Sequence, residues 1–171
     1  MRTYVAGAPC SGKTTVSRLL REAHGRNAVD CDDEIGRLNG GVWPTDFDVK
    51  NHVLLPRVLH AATNSDDILL FNGYTPLVYV QRLRRAGFRI VLLDVSDEEL
   101  LRRHAQRFAE EGWTNFEWFD TNKADVEELR ATGWIDHTIS GSAPPPEVAT
   151  AVLAIHSAPA LPSPDARPAL P

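Results

Sequence analysis

Short apolar runs alternate along this chain with longer segments whose apolar residues recur at helical spacing. Residues 3–6, 27–30, 68–71, 89–94 and 135–139 read as strands. The run Ile68-Leu69-Leu70-Phe71 is apolar throughout, as a strand buried on both faces should be. Between these runs lie amphipathic segments. Residues 14–23 place Val16, Leu19, Leu20 and Ala23 on one helical face and stop at His24-Gly25. Residues 47–63 are helical in character, with Thr45 as the expected cap, but Pro56 predicts a kink or a division into two short helices. Thr75 and Pro76 open a helix that runs to Ala86-Gly87. Ser96-Asp97-Glu98-Glu99 is a capping box opening a helix to about Glu110, with Gly112 as its stop. Further helices are expected over residues 123–131 and from Pro144 to about His156. This alternation predicts an α/β fold with a five-stranded parallel sheet flanked by helices.

With 171 residues, 43% hydrophobic, the chain is long enough for one domain with its own core, here residues 1–157. The formal net charge of −5 argues against broad electrostatic adhesion to nucleic acid or anionic membrane. No apolar run is long enough to span a bilayer. The first strand begins at once, leaving no room for a leader, and the two cysteines, Cys10 and Cys31, do not make a disulfide framework. A cytoplasmic protein, monomer or homodimer, is expected. Five of the last thirteen residues are proline, so residues 158–171 are expected to form a flexible tail, inert or bound by a proline-recognising partner.

The candidate chemistry starts directly after the first strand. Gly7-Ala8-Pro9-Cys10-Ser11-Gly12-Lys13-Thr14 reads G-x-x-x-x-G-K-[ST], the phosphate-binding loop pattern, and it lies between a strand and a helix. Gly7 and Gly12 allow the loop to wrap so that its N–H groups form an anion nest. The following helix, with Thr15 in its first turn, adds the positive end of its dipole. Lys13 supplies a mobile cation for β- and γ-phosphates, and the Thr14 hydroxyl suits a hard ion such as Mg²⁺. Cys10 in this electropositive loop is either redox-sensitive or a small filler.

Other groups carry two readings each. Asp30-Cys31-Asp32-Asp33-Glu34 follows the second strand and is either a reactive carboxylate pair or a solvated, helix-capping cluster. Trp113, Phe116, Trp118 and Phe119 are either a stacking surface for a base or sugar or a small satellite core. Arg102, Arg103 and Arg107 are either phosphate- and ring-binding groups or surface charge on an amphipathic helix.

The order of these elements and motifs, from Arg2 to His156, resembles the small P-loop kinases, among them the shikimate, gluconate and nucleoside monophosphate kinases. The resemblance implies a three-layer P-loop kinase fold, ATP and Mg²⁺ as cofactors, and a hydroxyl or phosphate acceptor. The stretch Val29-Asp30-Cys31-Asp32-Asp33-Glu34-Ile35 resembles the D-x-D region of shikimate-kinase-like enzymes. By position, Asp30 would help hold the Mg²⁺ shell and Asp32 would contact the acceptor hydroxyl and take its proton. The same stretch resembles the kinase domain of polynucleotide 5′-kinases, and that alignment again selects Asp32. The run Leu93-Asp94-Val95-Ser96, with the arginines after it, resembles the lead-in to the kinase lid. There Arg103 would lie against adenine and Arg107, with Arg102 as a second candidate, would reach the phosphates. Ser140 to Ser142 lie where family members touch the adenine.

The chain also departs from the pattern. The third strand ends in Asn72-Gly73 rather than in a Walker-B aspartate. The glycine triplet and the Phe-Arg-x-x-Glu motif of shikimate kinases are missing, since Phe47-Asp48-Val49-Lys50 does not reproduce the latter. The expected activity is transfer of the γ-phosphate of ATP to a small metabolite, nucleoside or nucleotide. Alternatives are a kinase acting on nucleic acid, which the acidic charge disfavours, and an NTPase switch without an acceptor.

Overall fold

Two apolar faces on every central strand require cover on both sides, and the helices supply it. A computed structural model of the chain describes residues 1–73, 76–112 and 116–159, without the side chains of Glu111, Phe116, Glu117, Trp118 and Asn122. The expectations placed on Thr75, Trp113, Phe116, Trp118 and the proline-rich tail beyond Pro159 lie outside the described residues.

The strands are β1 (Arg2–Gly7), β2 (Ala28–Asp30), β3 (Ile68–Asn72), β4 (Arg89–Asp94) and β5 (His137–Ser140). They form one five-stranded sheet in the order β2-β3-β1-β4-β5, with every pairing parallel. The helices are α1 (Lys13–Glu22), α2 (Cys31–Leu38), α3 (Leu55–Thr63), α4 (Leu77–Arg85), α5 (Asp97–Glu111), α6 (Phe116–Ala131) and α7 (Pro145–Ser157). Alternation along the strands sorts the core into two halves. Tyr4, Leu70, Ile90 and Leu92 pack with Ile35, Val58, Leu83 and Phe119 on one side. Val5, Leu69, Phe71, Val91 and Leu93 pack with Val16 and Leu20 of α1 and Val148 and Val152 of α7 on the other. Among the described residues no helix is long and apolar enough to cross a membrane.

Four local features differ from the expectations. The acidic cluster after β2 is itself a helix, α2, capped by Asp30, whose carboxylate accepts from the Asp32 N–H at 3.0 Å. Thr45 is not the cap of the next segment. Asp46 is, with its Oδ1 accepting from the N–H groups of Asp48 at 2.8 Å and Val49 at 3.3 Å. The segment does divide beside Pro56, as expected, but its first part is not α-helical. Pro56 sits in the first turn of α3, and the turns ahead of it, Val49–Leu54, take π-helical spacing. Proline has no N–H to give the preceding turn, and the Tyr79 hydroxyl donates to the Asn51 carbonyl there at 3.5 Å. Finally, α6 starts at Phe116 rather than near residue 123, and Phe119 is buried, meeting the His104 ring edge-on at 5.1 Å. That burial supports the satellite-core reading for Phe119.

At the opposite edge of the sheet from the glycine loop, His156 of α7 is buried between Thr3 and Asp67. An ionised Asp67 can only accept, so Nε2–H of His156 donates to its Oδ1 at 2.9 Å, and Nδ1 accepts from the Thr3 hydroxyl at 2.9 Å. Burial lowers the His156 pKa although Asp67 pulls it up. A histidine pKa depressed in the folded state stabilises the protein above its unfolded value of about 6.5, and that stability is lost as pH falls. Melting temperature should therefore drop as pH is lowered from 7.5 through 5.5. His156→Asn should melt lower at pH 7.5 and show a flatter pH dependence over the same window, as read by differential scanning calorimetry.

Candidate functional site

All five strands point the same way, so their carboxyl ends gather at one edge of the sheet, where ligands bind in open α/β folds. A cleft of about 800 Å³ opens there. Its walls bring together Pro9 to Thr15 of the glycine loop, Asp30 and Asp32 after β2, and Arg103 and Arg107 of α5. Residues far apart in sequence thus share one space.

The loop is shaped by close approach as much as by glycine torsion. Gly12 has φ 96° and Cys10 has φ 64°, so the left-handed positions are these two rather than Gly7. Gly7 has a different need. A Cβ there would lie 2.6 Å from Ser11 Oγ and 3.1 Å from the Leu93 carbonyl oxygen. The loop closes through a Ser11 N–H to Ala8 O bond of 3.2 Å, and α1 begins with Val16 N–H to Gly12 O at 3.0 Å. Lys13 folds back over its own loop. Its ammonium donates to Gly7 O at 2.8 Å, Ala8 O at 2.7 Å and Ser11 Oγ at 3.2 Å. Burial lowers its pKa to about 8, against the pull of Asp32 and Asp30. The Thr14 side chain is exposed to the cleft.

Arg103 ties the loop to its neighbours. It donates to Glu99 Oε1 at 2.7 Å, to Cys10 O at 3.3 Å and to Gly141 O at 3.0 Å. Gly141 follows β5 and packs so closely that a Cβ would lie 2.6 Å from Val95 Cγ2 and 3.0 Å from Ser11 O. Gly141 therefore lines the cleft beside the loop, while Ser140 and Ser142 are exposed and outside its lining. Arg107 sits beside the Cys10 thiol and near Lys13. Burial raises the Cys10 pKa in spite of Arg107, Lys13 and Arg103. The thiol stays protonated, which favours the filler over the redox reading. Arg102 is not part of the cleft. It forms a fork with Glu99 at 2.7 and 2.8 Å on the exposed face of α5.

On the facing wall Asp30 is 4% exposed and spends one oxygen on capping α2. Asp32 is open to the water of the cleft, yet the protein surrounding it and the Asp30 carboxylate push its pKa up. Lys50 and Lys13 oppose that push. Lys50 is the site residue that sequence reasoning missed. It is buried at the cleft wall on the π-helical turn, with its ammonium 4.9 Å from the Trp43 ring centroid. The sequence carried one signal for it, Pro56 a short way downstream, but that signal predicts an irregular turn and not its direction.

Thr14 and Asp30 are hard oxygen donors that line the same cleft. Among the described residues no group of three His, Cys, Asp or Glu side chains could hold a metal unaided. This donor set fits Mg²⁺, which keeps waters and takes few protein ligands beside substrate phosphates.

The family model described as AAA domain matches residues 4–117. Among solved structures, shikimate kinase from Aquifex aeolicus is 23% identical, with a TM-score of 0.66 over 91% of this chain and 95% of that one. A gluconokinase from Sinorhizobium meliloti 1021 is 20% identical, with a TM-score of 0.64 over 91% of each chain. Shikimate kinase from Acinetobacter baumannii, in complex with shikimate, is 24% identical, with a TM-score of 0.63 over 90% of this chain and 91% of that one. At these identities the likeness establishes the fold, that of the small P-loop kinases. No curated protein matches the sequence.

The spacing around Gly7 gives a direct test. Gly7→Ala should cost about 1–3 kcal/mol, the usual range for overpacking a filled site. It should also weaken nucleotide binding, because the strand end and the loop must part to admit the methyl. Chemical denaturation and nucleotide titration read the two effects separately. Wild-type stability in the variant would show that the loop is not held against β4.

Proposed function

We propose that this chain, which belongs to the AAA domain family, is a kinase that transfers the γ-phosphate of ATP to a hydroxyl or phosphate of a small molecule. The observation that carries the reading is that one cleft is lined both by the glycine loop with Lys13 and by Asp32, with Lys13 and Asp32 close enough to influence each other's charge.

In this reading the loop amides and the α1 dipole cradle the β- and γ-phosphates. Lys13 leaves the carbonyls of Gly7 and Ala8 and turns to the phosphate oxygens. That exchange is feasible because its donors are already at the loop surface and its charge is under strain from burial. Arg107 neutralises charge on the transferring group from the α5 side, and Arg103 holds the loop while lying on the nucleotide side of the cleft. Thr14, with Asp30 behind it, would hold Mg²⁺, whose chemistry is to neutralise phosphate charge. Asp32 orients the acceptor hydroxyl and takes its proton. Phosphoryl transfer asks mostly for such positioning and electrostatic support. Asn72 at the end of β3 also fits a transferase. A neutral side chain stands where a hydrolytic ATPase would carry a carboxylate.

The test is ATP consumption with and without panels of sugars, hydroxy acids, nucleosides, nucleotides and oligonucleotides. Acceptor-dependent turnover is expected. Asp32→Asn should lower kcat by about 10²–10⁴-fold, the usual worth of a positioned general base, with ATP affinity retained. Lys13→Ala should weaken both ATP binding and turnover. ATP hydrolysis that no acceptor stimulates and that Asp32→Asn leaves unchanged would overturn the kinase reading and favour an NTPase switch. Turnover with oligonucleotides alone would move the acceptor to nucleic acid.

A further inference from the structure

The phosphate-binding loop is held in shape by a carboxylate that does not itself line the cleft. Cys10 keeps a left-handed φ of 64°, a conformation that a residue with a Cβ adopts only where its surroundings impose it. The peptide unit after it is fixed at both ends. Its N–H, that of Ser11, donates to Ala8 O at 3.2 Å, and its carbonyl, that of Cys10, accepts from Arg103 Nη1 at 3.3 Å. The N–H and C=O of a trans peptide point in opposite directions, so a bond that draws the carbonyl outward keeps the N–H turned in. An anion nest needs that orientation, because a carbonyl turned inward would meet a phosphate oxygen.

Arg103 is in turn fixed by Glu99. Its Nε donates to Glu99 Oε1 at 2.7 Å, while Nη1 and Nη2 hold the Cys10 and Gly141 carbonyls at 3.3 and 3.0 Å. Bonds from three corners of a planar group set both its place and its plane. Glu99 has a defined place of its own in the first turn of α5, where its N–H donates to the Ser96 cap at 3.4 Å. Resting on the nucleotide half of the kinase reading, we infer that Glu99 is a positioning residue for phosphate binding, acting through Arg103 to hold the Cys10–Ser11 peptide with its carbonyl outward and its N–H inward.

Charge alone predicts the reverse effect. Hydrogen bonds from Arg102 and Arg103 lower the Glu99 pKa to about 2, so the side chain is an anion at neutral pH. Where only the field matters, removing an anion near a phosphate site strengthens phosphate binding. Removing this one should weaken it, because Arg103 loses the partner that aims it at the loop.

Titration with inorganic tripolyphosphate, which has neither base nor ribose, reads the loop by itself, with ATP titrated in parallel. Glu99→Ala should weaken both about tenfold and by the same factor, the scale of one hydrogen bond to a charged group. Glu99→Gln keeps an oxygen for the Arg103 Nε–H and should recover part of the loss. Arg103→Ala should bind at least as weakly as Glu99→Ala, and the double variant no more weakly than Arg103→Ala, because the two residues act in series. A cooperative melt by circular dichroism shows that each variant is folded. Unchanged or raised tripolyphosphate affinity in Glu99→Ala, or additive losses in the double variant, overturns the inference. A loss confined to ATP overturns it too, since the effect would then lie at the base and not in the loop. These titrations contain no acceptor, so each of those outcomes leaves the kinase reading standing. A wild-type protein that binds neither ligand overturns both.

Discussion

The cleft depends on one packing constraint, the close approach of the phosphate-binding loop to the ends of β4 and β5. Gly7 meets the Leu93 carbonyl, and Gly141 meets Ser11 O and Val95, at distances that exclude a Cβ. Those contacts press the loop against the sheet edge from below and from the side. Arg103 then locks the arrangement, since its guanidinium reaches both the Cys10 and the Gly141 carbonyls while Glu99 holds it from behind. A loop so confined has little freedom to lose when phosphates arrive. Preorganised donors cost nothing to reorient at the moment of reaction, and this is where electrostatic stabilisation gains most.

The same economy applies to charge. Lys13 is half-buried and its pKa is lowered, but its ammonium is satisfied by loop carbonyls and by the Ser11 hydroxyl. The fold thus stores a cation at the loop without leaving it unpaired. Across the cleft, Asp30 is stored in a similar way. Capping α2 gives a buried carboxylate a backbone donor, and the positive end of that helix favours its charge. Helix α2 is therefore part of the site, because it holds both Asp30 and the first-turn residue Asp32 at the end of β2.

Much of this was legible in the sequence, for identifiable reasons. The central strands β3 and β4 carry continuous apolar runs, and β4 was readable to the residue, Arg89–Asp94. The loop pattern between a strand and a helix located the centre of the cleft, and Asp30 and Asp32 share it. What escaped the sequence were effects of tertiary geometry on short segments. Helix α2 is eight residues long and begins directly at a strand end, so the sequence showed helix-capping carboxylates there without giving the extent of the helix. Asp46 outcompetes Thr45 as a cap because its carboxylate reaches the N–H groups of both Asp48 and Val49. Arg102 and Arg103 are adjacent and chemically identical. Only the helix register sends one to solvent and the other into the cleft. Gly7 was read as a torsional requirement and is a steric one, a distinction set by Leu93, far away in the chain.

The Pro56 segment shows how such a miss can matter for chemistry. A proline inside an apolar periodic stretch reads as a defect, and the expectation of a break follows from the lost hydrogen bond. Here a π-helical turn precedes the α-helix that Pro56 opens, and that turn carries Lys50. Changing the number of residues per turn rotates every side chain in it relative to the core. A position that ordinary spacing would assign elsewhere then lies at the cleft wall, while Val53 in the same turn remains exposed. The turn that Pro56 borders thus brings a lysine to the wall of the cleft that the glycine loop and the carboxylates also line.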